Sequence, residues 1–196
     1  MSNSASNVLT LLLVEGDTDQ LFYERVKSAL VPGRCAVEVI GGLWNVNKKI
    51  LCALARRRDE QIRAYCCLDK ESRYAPLPVF DLKFIRRELK ERGIANVLSV
   101  DAIVAVQMLE SWFFHDLDGI YRYLQAPKSK RNMKAYDPVE ALRDADLMRL
   151  FRQYGKEYEK GRRAKHFIDR LDVHRILERC PALREGIAKM RHRAKR

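Results

Sequence analysis

At 196 residues the chain is long enough to bury one proper hydrophobic core and too short for two full domains. Its 47% hydrophobic and 33% charged residues are ordinary for a soluble globular protein, and no apolar run approaches the length of a membrane span. The charge is less ordinary: 38 Lys and Arg against 26 Asp and Glu leave +12, which favours a polyanionic partner, most simply nucleic acid.

The start, Met1 to Asn7, lacks the basic opening of a signal peptide, so the expected location is the cytoplasm. Val8 to Val14 is a near-continuous apolar run that reads as a strand buried on both faces, ending abruptly at Glu15-Gly16. A helix follows, with Asp17 or Thr18 as its cap, Gln20 as a capping-box partner, and Phe22, Val26, Ala29 and Leu30 as its apolar stripe. Ala36 to Ile40 is a second strand, closed by Gly41-Gly42. That glycine pair leaves backbone amides able to approach a phosphate, although a plain connecting loop is the simpler reading. Asn45 is placed to cap a helix with Val46, Ile50, Ala53 and Leu54 inward and Lys48, Lys49 and Arg56 to Arg58 outward.

Ile62 to Leu68 is a third strand, and it too ends on acids, Asp69-Lys70-Glu71. In extended backbone Asp69 and Glu71 share a side and could both reach one divalent cation. After the linker Ala75-Pro76-Leu77-Pro78, a helix capped by Asp81 runs to Arg92 and stops at Gly93. Asn96 to Val100 and Ile103 to Val106 fit one strand or a bent pair, delivering the chain to Glu110 at the start of a helix that reaches Leu124, with Trp112 and Phe113 as core. The alternation predicts an α/β fold: an open, mainly parallel sheet flanked by helices, occupying residues 1–125. Residues 126–196 read as a basic helical extension packed on it. It opens with the basic loop Lys128 to Lys134, and Asp137-Pro138-Val139-Glu140 looks like a strong helix start. Helices are expected over about 138–152, 162–170, 173–179 and 182–194. The basic blocks nominate Lys48, Lys49, Arg56, Lys128, Lys130, Arg131, Arg162 and Arg163 for nucleic-acid contact.

The five cysteines and four histidines are scattered without paired metal-ligand spacing, which points to reduced core thiols rather than to zinc. The acids point the other way. Glu15, Asp69, Glu71 and Glu110 all fall at predicted carboxyl ends of strands, where open parallel sheets carry their working surface. Four acids in one crevice repel one another without a cation, so a basic protein that gathers them is suited to bind Mg²⁺ or Mn²⁺ for phosphodiester chemistry.

In these motifs the chain resembles the TOPRIM superfamily of topoisomerases, primases, small nucleases and OLD-family proteins. The resemblance rests on Leu13-Val14-Glu15-Gly16-Asp17-Thr18-Asp19 after the first strand, on Leu68-Asp69-Lys70-Glu71 where the family has Asp-x-Asp, and on Glu110-Ser111-Trp112, which is similar to the Glu-x-Trp segment of small stand-alone OLD-like proteins of bacteria. It covers roughly residues 8–120. It implies Glu15 as general base or metal ligand, Asp69 and Glu71 as ligands, and Glu110 as a ligand of a second ion. It also implies a lysine from the C-terminal part, for which Lys165 is the first candidate ahead of Lys156 and Lys160. Members of the group often act beside an ATPase in defence against phage. The expectation is thus a metal-dependent nuclease cleaving DNA or RNA; the alternative is a nucleic-acid-binding or regulatory subunit without catalysis. The sequence leaves room for an oligomer and for docking on a larger assembly.

Overall fold

The computed structural model describes residues 8–70 and 80–194. Four strands, β1 (Leu9–Val14), β2 (Cys35–Val39), β3 (Ile62–Asp69) and β4 (Val97–Ala105), form one sheet in the order β2-β1-β3-β4. Every pairing is parallel, with Val14 opposite both Val39 and Cys67, and Asp69 opposite Ala105. Parallel neighbours need crossovers. These are supplied by α1 (Asp17–Leu30), α2 (Val46–Ala55) and α3 (Leu82–Glu91).

The apolar run of β1 is buried on both faces because alternate residues serve two cores. Leu12 and Val14 join Phe22, Val26, Tyr65 and Ile103 on one face, whereas Leu9, Leu11 and Leu13 join Ile50, Leu54, Ile85 and Leu89 on the other. Thus α1 covers one side and α2 and α3 the other. The strand order reverses between β1 and β3. That makes the space outside their carboxyl ends the switch point of the sheet, where open α/β folds form a crevice.

The remainder is helical: α4 (Leu109–Phe113), α5 (Leu117–Tyr123), α6 (Asp144–Gln153), α7 (Lys165–Ile168), α8 (Val173–Arg179) and α9 (Pro181–Ala194), with short 3₁₀ turns between them. Leu147, Phe151, Tyr158, Phe167, Ile176, Leu183 and Ile187 of this tail share the core that contains Val14, Phe22 and Trp112. The C-terminal part therefore completes the core on the α1 side. A fully buried carboxylate fixes it there: Asp116 caps α5 through the Gly119 amide at 3.2 Å, accepts from the Asp172 amide at 2.8 Å and pairs with Arg175 at 3.2 Å. At the far end α9 lies on β4, and only glycine fits at 186, since a Cβ would come within 2.3 Å of Ile103 Cδ1. Among the described residues no helix is long and apolar enough to cross a membrane.

Three local expectations are corrected, and one open alternative is decided. Helix α1 begins at Asp17 with Gly16 as its cap, and the reciprocal acid is Asp19, which accepts from the Gly16 amide at 3.3 Å, instead of Gln20. Asn45 does not cap α2 with its side chain, because its backbone is left-handed (φ 53°). Of the two readings left open for residues 96–106, the single strand holds: β4 is continuous, its polar residues Ser99 and Asp101 being engaged by Arg193 of α9. The helix predicted from 138 is only a 3₁₀ turn over Val139–Ala141: Leu142 returns to extended backbone (ψ 155°), and α6 starts afresh at Asp144, with Asp146 accepting from the Arg143 amide at 2.9 Å.

Candidate functional site

Glu15 follows β1 directly, and Asp69 is the last residue of β3, so the two acids flank the switch point. The turn beside Glu15 is tightly held. The amides of Gly41 and Gly42 donate to the Glu15 carbonyl at 3.1 and 3.2 Å, and both glycines have left-handed backbone (φ 74° and 69°) that a side chain would strain. Lys49 of α2 reaches back to both glycine carbonyls, at 3.1 Å to that of Gly42. Neither the glycine amides nor Lys49 is therefore spare for a phosphate; they fix the backbone from which Glu15 projects. Trp44, in the same connection, is 83% exposed.

Three further acids surround this point. Burial, and then the charges of Asp19, Glu110 and Glu15, push Asp69 up to about 8, against the hydrogen bond it accepts from the Leu109 amide at the start of α4. Asp19, in the first turn of α1, is pushed up to about 7 by burial and by the charge of Glu110, with Glu15 adding to it. Glu110 is 3% exposed, and its Oε1 accepts from the Tyr158 hydroxyl at 3.2 Å. Burial and this neighbouring carboxylate hold the Tyr158 phenol far above its ordinary value. Asp69 and Asp19 feel the charges of Glu15 and Glu110 because β1, β3 and the β4–α4 connection end at one rim. Glu71 lies outside the described residues. At the same rim Gln107 is buried, and its Oε1 has no hydrogen-bond partner among the described residues.

A cation of the chain also reaches the acids, and it is Lys160. Its Nζ lies 3.5 Å from Glu110 Oε1 and 2.8 Å from Asp144 Oδ2. Partial burial opposes its charge, but the hydrogen bond to Asp144 and the field of Glu110 hold its pKa above the ordinary lysine value. The segment carrying it is laid over the start of α1: the Gly161 amide donates to Thr18 Oγ1 at 2.7 Å, and Arg162 lies 3.6 Å from Asp17. Tyr158 anchors that segment between the rings of Phe151 and Phe167, at 5.4 and 5.9 Å.

Lys165, the first candidate from sequence, is corrected by this geometry. It points along α7 to Asp169 at 2.7 Å with its side chain 60% exposed, in a shallow groove with Leu21, Arg25 and Ser28 from the later turns of α1. Lys156 is turned to the Tyr123 carbonyl at 2.7 Å and over the Tyr123 ring. The residues that sequence reasoning left without a role are Asp19, Tyr158 and Trp44. Asp19 had a signal, since it stands four residues after Glu15 in the same motif. Tyr158 and Trp44 had none, because only the fold brings residue 158 back across α1 and leaves an indole in solvent.

The basic residues nominated for nucleic acid separate into two groups. Lys48, Lys128 and Lys130 have exposed side chains. Arg56 pairs with Glu38 at 3.3 Å, Arg131 with Asp118 at 3.1 Å and the Ala126 carbonyl at 3.0 Å, and Arg163 with Glu159. Arg162 is the one of the eight whose acidic partner, Asp17, adjoins the acid crevice.

No curated protein and no solved structure matches the chain. A family model described as "Domain of unknown function (DUF4276)" matches residues 14–191, nearly the whole length, and the chain belongs to that family.

Proposed function

We propose that the protein is a metal-dependent nuclease of TOPRIM type, acting in the cytoplasm on DNA or RNA. The observation that carries this reading is the gathering of Glu15, Asp19, Asp69 and Glu110 at the sheet's switch point, where burial first, and then the neighbouring carboxylates, push Asp69 up to about 8 and Asp19 up to about 7. Such an arrangement is unfavourable on its own and becomes favourable around a divalent cation. The donor set consists of carboxylate oxygens alone, which suits Mg²⁺ or Mn²⁺ and not a soft metal. Asp69, Glu15 and Glu110 would hold the ion, with Asp19 beside them. Bound there, an ion of this kind supplies polarisation of a phosphoryl oxygen and an acidified water.

The remaining work belongs to the chain. Glu15 is suited to take the proton of the attacking water, and the Tyr158 hydroxyl orients Glu110 through Oε1. Lys160 offers positive charge where a transferring phosphoryl group accumulates negative charge. Lys48, Lys128, Lys130 and Arg162 are suited to guide the polyanion, and Trp44 offers a ring face for an unstacked base. An ATPase partner remains part of the proposal through the resemblance alone.

The test is incubation of the purified chain with single- and double-stranded DNA and RNA in Mn²⁺ or Mg²⁺, beside a chelator arm and a Glu15→Gln control. Cleavage that needs the cation and is lost in the control is the expected result; equal cleavage by both proteins would defeat the assignment. A second reading, a binding or regulatory module without chemistry, draws on Lys160, whose ammonium already compensates Glu110 and Asp144. It predicts salt-sensitive binding that survives Glu15→Gln and needs no divalent ion.

Trp44→Ala is expected to weaken binding of a single-stranded oligonucleotide by about 1–3 kcal/mol, the worth of one base stacked on an aromatic ring, with the melting temperature unchanged. Fluorescence titration at fixed salt measures this, and quenching of the indole by the wild-type complex should accompany it. Undiminished affinity would remove Trp44 from the interface.

A further inference from the structure

The fold brings together three residues that the sequence keeps far apart: His115 in the 3₁₀ turn Phe114–Asp116, Glu140 in the turn Val139–Ala141, and Cys180 immediately before α9. One ligand atom from each lies within 4.8 Å of the other two. Cys180 is fully buried, and His115 Nε2 and Glu140 Oε2 are both buried with no hydrogen-bond partner among the described residues. A buried imidazole nitrogen and a buried carboxylate oxygen without partners cost free energy wherever they occur. Here both are found together, beside a thiol.

We infer that His115, Glu140 and Cys180 form a second metal site, for a zinc-class divalent cation. An imidazole nitrogen, a carboxylate oxygen and a thiolate sulfur make a mixed donor set of the kind Zn²⁺ takes, whereas sulfur is a poor ligand for Mg²⁺, Mn²⁺ or Ca²⁺. Three protein ligands leave one tetrahedral position for water or an external group. The site would tie the β4–α5 connection to the tail at two points. Glu140 stands four residues before Asp144, the carboxylate that holds Lys160, so an ion here would also fix the start of α6.

The experiment is metal titration of the chelator-treated full chain. Zn²⁺ is titrated against a chromophoric chelator, and Co²⁺ is followed by absorption, where a thiolate ligand gives a charge-transfer band that carboxylates cannot. The wild type is expected to take one Zn²⁺ per chain at this site and to show the sulfur band. Cys180→Ser should lose the band, and both it and His115→Ala should lose Zn²⁺ affinity by more than the roughly 10–100-fold that altering an outer-shell partner costs. Asp69→Asn should keep both signals, which separates this site from the acid crevice and makes the result independent of nuclease activity. Absence of the sulfur band in the folded wild type overturns the inference without reference to any variant. Loss of Zn²⁺ in Asp69→Asn, or wild-type titration by His115→Ala, overturns it equally.

Discussion

Asp69→Asn is expected to abolish metal-dependent cleavage and, in the same protein without metal, to raise stability at alkaline pH. Both effects follow from one feature, the cost of charging Asp69 where it is buried and beside Asp19, Glu110 and Glu15. As a ligand its loss should exceed the about 10–100-fold that changing an outer-shell partner costs, so turnover should fall by at least about 100-fold. The asparagine oxygen can still accept from the Leu109 amide, so the local backbone has no reason to move.

The stability effect has a definite sign. In the unfolded chain Asp69 loses its proton near 3.8, and in the folded chain near 8. Between those values the native state binds more protons than the unfolded state, so stability falls as pH rises. The contribution of the protonated acid is fully present below about pH 4 and is lost on passing through about pH 8; Asp19 acts in the same sense up to about 7. The metal-free wild type should therefore melt lower at pH 8 than at pH 5, and Asp69→Asn should flatten that slope. In a chain of this size about 1 kcal/mol moves the midpoint by about 2–4 °C. A hundredfold excess of Mn²⁺ over its dissociation constant adds about 2.7 kcal/mol, so the wild type at pH 8 should gain roughly 5–10 °C. Differential scanning calorimetry at the two pH values, with and without Mn²⁺, measures all four states. A wild type that melts equally at both, with no response to Mn²⁺, would mean that the acids are not coupled as the geometry has them.

Most of this crevice is legible in the sequence because strand ends are marked sharply. An apolar run that breaks at Glu15-Gly16 and another that breaks at Asp69 fix two carboxylates at one rim once the sheet is parallel. The strand order then brings them to adjacent strands. What the sequence does not mark is the third dimension of the tail. Lys156, Lys160 and Lys165 lie in one basic stretch, and what turns Lys160 inward is the placing of its segment by the Gly161–Thr18 bond and by Tyr158 packed against Phe151 and Phe167. Nor does spacing reveal His115, Glu140 and Cys180 as neighbours, since their proximity comes from the packing of α8 against both α9 and the turn that carries His115. The misread helix at 138 has a local cause as well. Pro138 at a nominal first helical position is extended (ψ 134°), and no principle of capping can distinguish that from sequence.

Lys160→Met is expected to lower cleavage by about 10²–10³-fold, the usual consequence of removing one group that stabilises developing charge, whereas Lys165→Met should leave it unchanged. The contrast follows from position: one ammonium lies against Glu110 and Asp144, the other against Asp169 at the surface. The two variants also separate chemistry from binding. Each deletes one positive charge, so if attraction of the polyanion were all that mattered, both should reduce the salt slope of nucleic-acid binding by about 1 and cleavage in proportion. Metal affinity should move oppositely to rate, because without Lys160 the nearly buried Glu110 loses its compensating cation and the crevice becomes more negative. Lower Mn²⁺ concentrations should then half-saturate Lys160→Met, while its maximal rate falls. Were the rate to recover fully at saturating Mn²⁺, Lys160 would be a structural counter-ion that the metal replaces, and the positive charge needed at the phosphoryl group would have to come from elsewhere on the basic surface.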